Sequence, residues 1–181
     1  MKKALILMVS FAMIATLALT GCNKEQKALD ALGTKICADN GKAAGSILFS
    51  KTMFEFMTRA QTMGEGAKPE EVEKGVEEAL KMFDMMKDEM SKEVTLATCS
   101  AKAETMKCED AYKEIAASDA GKGIKDAEKT LAAVGEKMGL KNCGKLAVTG
   151  KEKEGDKEET GTAFVAKVGE EYMVFFLQEP K

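Results

Sequence analysis

The chain has 181 residues, 27 basic and 30 acidic, with a net charge of −3 and neither histidine nor tryptophan. Without histidine there is no Ser-His-Asp or Cys-His nucleophile arrangement and no histidine-bearing zinc site. A mildly acidic chain with evenly scattered lysines offers no footprint for nucleic acid and no polybasic patch for anionic lipid heads, and two tyrosines give few aromatic platforms for sugars or bases.

The first 22 residues carry the most specific signal. Lys2 and Lys3 precede an apolar stretch from Leu5 to Leu19, and the segment closes in Leu19-Thr20-Gly21-Cys22. A charged start, a short apolar middle and a small-residue end describe an export signal. The stretch is short for a spanning helix, which needs about 20 residues. Leu17-Ala18-Leu19 is a poor match to an ordinary A-x-A cleavage site. The ending resembles the lipobox of bacterial lipoproteins. The resemblance implies diacylglycerol on the Cys22 thiol, cleavage before Cys22 and acylation of the new N-terminus. Residues 1–21 are then a cleaved signal and 22–181 a single mature domain of net charge −5, since Lys2 and Lys3 leave with the signal. Attachment is expected through the acyl chains. In lipoproteins of the enteric type, aspartate after the acylated cysteine resembles an inner-membrane retention signal. Asn23 stands there instead, which favours the outer membrane with the domain facing the periplasm.

Along the mature chain the apolar spacing predicts five helices. The first runs from Asn23, a candidate cap, to Cys37, with Leu29, Leu32 and Ile36 on one face; Ala38-Asp39-Asn40-Gly41 then turns. A second spans Lys42 to Met63, with Ile47, Leu48, Phe54 and Met57 on shared faces, and Gly64 to Lys68 breaks it. Pro69 with Glu70, Glu71 and Glu73 opens a third, whose stripe Val72, Val76, Leu80, Phe83, Met86, Met90 carries it through Lys92, with Ala97 as its farthest end. Ser100 is expected to cap a fourth, Ala101 to Ala116, and Ser118-Asp119 a fifth that stops at Gly139. The period then changes to strands at 145–149, 160–168 and 172–177. The last, apolar on both faces, is expected at the centre of the sheet. The expected class is α+β: a helical part, 24–140, followed by a three-stranded antiparallel meander, 144–178.

Four cysteines remain after acylation, Cys37, Cys99, Cys108 and Cys143, an even number that reads as two disulfides in an exported chain. The expected pairs are Cys99–Cys108, with a turn between them, and Cys37–Cys143. The thiols' spacing does not suit a metal site, and no metal or cofactor is expected. Ten methionines remain, and Met82, Met86 and Met90 with Phe83 read as core or as an apolar groove, with Cu(I) ligation the competing chemistry. The acidic pairs read as solvated helix faces. Gly121-x-Gly123 lacks the leading strand and lysine of a phosphate cradle. The chain is therefore expected to be non-catalytic: a lipid-anchored envelope protein that binds or scaffolds an envelope protein partner, or else carries an apolar ligand in a Met/Phe-lined pocket.

Overall fold

The computed structural model describes residues 24–90, 96–152 and 158–178. Asn23 and Cys22 lie outside the described residues, so the cap at Asn23 and the lipid site at Cys22 do too.

Helix α1, 24–37, ends in a 3-10 turn, Ala38–Gly41, where Asp39, Asn40 and Gly41 all take positive φ. Asparagine, aspartate and glycine are the residues that tolerate that conformation. The expected second helix is two: α2, Ala44–Leu48, and α3, Lys51–Gly64. The break comes at Ser50, which is extended and accepts the Met53 N–H at 3.1 Å as the N-cap of α3. Helix α4, Pro69–Met90, starts at its proline as expected, with the Lys68 N–H donating to the Glu71 carboxylate at 2.8 Å. It is described as far as Met90; the expected continuation through Lys92 lies outside the described residues, and Ala97, its farthest expected end, is in a strand.

The expected fourth helix is where the sequence misleads. Leu96–Thr105 is strand β1, and only Cys108–Ala117, α5, is helical. Ser100 sits inside the strand and caps nothing. Ser118 closes α5, donating to the Ile115 carbonyl at 2.6 Å and accepting from the Gly121 N–H at 3.2 Å. A 3-10 turn, Gly121–Gly123, leads to α6, Ala127–Lys137, which Gly139 terminates with φ 67°. Strands β2, Lys141–Glu152, β3, Glu158–Val168, and β4, Glu171–Gln178, follow.

The class is α+β, with six α-helices and four strands among the described residues rather than five and three. The sheet order is β1-β2-β3-β4, antiparallel throughout. β4 therefore lies at an edge, not at the centre. It is buried on both faces all the same: Phe175 and Phe176 pack with Phe56 and Ala60 of α3, Val174 packs with α1 and α2, and the Ser50 hydroxyl donates to the Val174 carbonyl at 2.5 Å. A bulge at Phe175 turns two consecutive phenylalanines, Phe175 and Phe176, towards one face.

The sheet separates two cores. On one face α5 and α6 with Phe56 and Ala60 of α3 enclose Phe164, Phe175 and Phe176. On the other α1 and α2 bring Leu29, Ile36 and Ala44 onto Leu146, Val165 and Val174. Helix α1 comes close to the sheet because its contacts are small: a Cβ on Gly144 would lie 2.5 Å from Leu29, and one on Gly33 3.0 Å from Ala101. Two disulfides close the structure, and their pairing differs from the expected one. Cys37 bonds Cys99, tying α1 to β1, and Cys108 bonds Cys143, tying α5 to β2. Once residues 96–105 are a strand, Cys99 lies at the far end of β1 from Cys108, and the expected Cys99–Cys108 bridge has no geometry.

Candidate functional site: an apolar cleft

Two features of the sequence create a cleft. The first is the break between α2 and α3. Leu48 ends one helix, Phe49 stands 40% exposed at the corner, and Met53 and Met57 follow one turn apart on α3. The second is the register of the strands beneath. Val148 pairs with Gly161, Thr162 with Gln178 and Ala163 with Leu177, so three neighbouring strands present a mostly apolar floor. Between them lies a cleft of about 420 Å³, lined by Leu48, Phe49, Met53, Met57 and these strand residues. That volume falls in the range of small-molecule sites, roughly 300 to 1,000 Å³. Gly161 keeps the floor open: a Cβ there would meet only the Gln178 carbonyl, at 3.7 Å.

The cleft's chemistry is simple. None of its lining residues is ionisable, and Thr162 and Gln178 are the only ones with polar side chains. It offers dispersion contacts from thioethers, aliphatic groups and one phenyl ring, with no group for acid–base or nucleophilic work.

The ionic groups are gathered elsewhere. The buried Arg59 guanidinium donates to Glu55 at 2.9 Å and, through two nitrogens, to Glu73 at 2.8 and 3.0 Å; Lys137 reaches the same Glu73. These hydrogen bonds from Arg59, then from Lys137, lower the Glu73 pKa to about 2, and the bond to Glu73 is the largest cause raising that of Arg59. The cluster links α3, α4 and α6 and is structural in form. The buried Tyr172 hydroxyl has no hydrogen-bond partner among the described residues, and burial, then the nearby Glu25 charge, raise its pKa.

Met82, Phe83 and Met86, three residues of the expected groove, do not line this cleft. Phe83 packs on Phe54, ring centroids 5.1 Å apart. Met82 and Met86 are 53% and 42% exposed, and Met85, on another face, 76%. The stripe is core where α3 lies beneath it, at Val72 and Val76, but α4 has 22 residues and α3 only 14. Phe83 still meets α3 through Phe54, while Met82, Met85 and Met86 around it stay exposed. The side chain of Met90 is outside those described. The residues that do line a cavity, Phe49, Met53 and Met57, were merged into one long helix by the sequence reading. Ser50, an N-cap residue followed by an apolar run, was the signal that could have separated them.

Among the described residues no cluster of Cys, Asp or Glu could hold a metal ion, and no helix is long and apolar enough to cross a membrane. No family model, no curated protein and no solved structure matches the chain.

Proposed function

We propose that this chain is a lipid-anchored protein of the bacterial envelope with a non-catalytic binding role, and that its ligand is apolar and sits in the cleft between α2, α3 and the sheet. One observation carries the reading: a cavity of about 420 Å³ lined without a single ionisable side chain. Burying hydrocarbon at roughly 25 cal/mol per Å² is the binding energy such a lining supplies. The lipobox ending at Cys22 supports the anchor, and the disulfides fit an oxidising compartment.

The test is native mass spectrometry of the protein released from envelope membranes. A one-to-one apolar adduct is expected on the wild type and none on Gly161→Leu, whose side chain fills the floor of the cleft. Wild-type protein with an empty cleft would end the reading.

A second reading, docking of an envelope protein partner, is favoured by the exposed methionines of α4. Crosslinking from positions 82 and 86 to one defined protein would support it.

A further inference from the structure

The sheet has an open edge. Its order is β1-β2-β3-β4, so β1 and β4 are the outer strands. β4 lies beside α3, whose N-cap Ser50 donates to the Val174 carbonyl. Among the described residues no strand pairs with the outer side of β1. Helix α1 sits above β1 and β2, with Gly33 against Ala101 and Leu146, rather than alongside β1.

The register says which main-chain groups that edge presents. In an antiparallel pair, hydrogen-bonded and non-hydrogen-bonded residues alternate. The Met106 N–H donates to the Cys143 carbonyl at 2.9 Å, and the pairs Glu104↔Lys145 and Ala103↔Leu146 continue the same register. Glu104, Lys102 and Ser100 therefore bond to β2, while the N–H and C=O groups of Cys99, Ala101, Ala103 and Thr105 point outward. The Gln26 side chain agrees, reaching the Ala103 carbonyl from α1 at 3.0 Å. A carbonyl has a second lone pair, so that contact leaves an acceptor at the edge.

The side chains decide what can add to this edge. Ser100, Lys102 and Glu104 are exposed, on the face away from α1. A second copy of β1, antiparallel about a two-fold axis, has few registers near the middle of the strand, because outward groups must meet outward groups. Centred on Lys102 or on Glu104, it sets like charges face to face. Centred on Ala101, it sets Lys102 opposite Ser100. Centred on Ala103, it sets Lys102 opposite Glu104 of the second copy, and Glu104 opposite its Lys102. Opposite charges directly across a strand pair stabilise it, and like charges destabilise it. Ala103 then exchanges both main-chain bonds with Ala103 of the second copy, and Ala101 with its Thr105.

We infer that the chain forms a two-fold dimer by pairing β1 with β1 about Ala103, so that one sheet runs through both copies. The occupant is a second copy because Lys102-Ala103-Glu104 complements itself in that one register. Against an unrelated strand the same two charges guard the edge.

The experiment is sedimentation equilibrium of the full chain, purified in a detergent matched in density to the solvent so that protein mass alone is read. A dimer is expected. Lys102→Glu and Glu104→Lys each place like charges opposite one another at both symmetric positions, and each is expected to raise the dissociation constant roughly tenfold or more. Both side chains are exposed, so the reversals leave the fold intact. Lys102→Glu combined with Glu104→Lys restores opposite charges and is expected to return the constant to within about threefold of the wild type. Hydrogen exchange gives a second reading: the amides of Ala101, Ala103 and Thr105 should exchange more slowly at dimer concentrations than on dilution. A wild-type monomer at every concentration, a dimer that neither reversal weakens, or one that the double change fails to restore would overturn the inference. So would edge amides whose exchange ignores concentration.

Discussion

Gly135 shows how little room some residues leave for change. A Cβ on Gly135 would stand 1.8 Å from the Tyr112 hydroxyl and 2.5 Å from its Cζ. Tyr112 is buried between α5 and α6, so neither group moves cheaply. Gly135→Ala is expected to destabilise the domain by roughly 2 to 3 kcal/mol in urea unfolding, the scale of core overpacking. Adding Tyr112→Phe should recover part of the loss, because the nearer of the two clashing atoms is gone. At Glu73 the effect appears as pH dependence. Its pKa is about 2 in the folded chain against an ordinary 4.5, so the ionised form is favoured by folding. The stability it contributes is present above pH 4.5 and is lost as the pH falls towards 2. Unfolding midpoints between pH 5 and 2 should show that slope, and Glu73→Gln should flatten it.

Among the elements, what was legible followed one rule: a segment could be read when it buries one face against a single layer. Helix α4 opens at Pro69 and α6 stops at Gly139, as their sequences say, because caps and breakers act locally. Strand β1 was not legible. Leu96–Thr105 is mostly alanine, threonine, serine and charged residues, and apart from Leu96 at its start its inward positions are Cys99, Ala101 and Ala103. Small inward residues are what α1 needs to lie close to the sheet, and they carry almost no hydrophobic period to read. Likewise, β4 reads as central because it is apolar on both faces, yet its second cover is α3 at the sheet edge, a contact no local pattern announces. The cleft was legible only in kind, as a Met/Phe lining, since its place depends on a helix break and a three-strand register. The exposure of the α4 methionines was not legible because a stripe does not say how wide a face its partner covers. Their exposure predicts that Met82→Gln, Met85→Gln and Met86→Gln each change the unfolding free energy in urea by no more than about 0.5 kcal/mol, as ordinary surface changes do.

For the whole molecule, anchoring and cross-linking are the properties to test. Cys22→Ala is expected to leave the precursor uncleaved and without lipid label, and fatty acid on the mature wild type, seen by mass spectrometry, checks the proposal directly. Peptide mapping without reductant should recover Cys37 with Cys99 and Cys108 with Cys143. The closed segments have sequence separations of 62 and 35, and in the chain-entropy model each bridge then contributes roughly 4 kcal/mol. Equilibrium unfolding with and without reductant measures that sum.

The size of the contribution bears on when this protein folds. Domains are stable by about 5 to 15 kcal/mol in all, so two bridges worth some 8 amount to most of the margin. A reduced chain has neither bridge, and among the described residues its β1 then meets α1 through Ala101 against Gly33 and the Gln26 hydrogen bond to the Ala103 carbonyl. The reduced domain is then expected to unfold at a much lower urea concentration than the oxidised one. Oxidation locks β1 to α1 and α5 to β2, so the finished fold waits on the redox state of four thiols; with the export proposed above, that would set its timing.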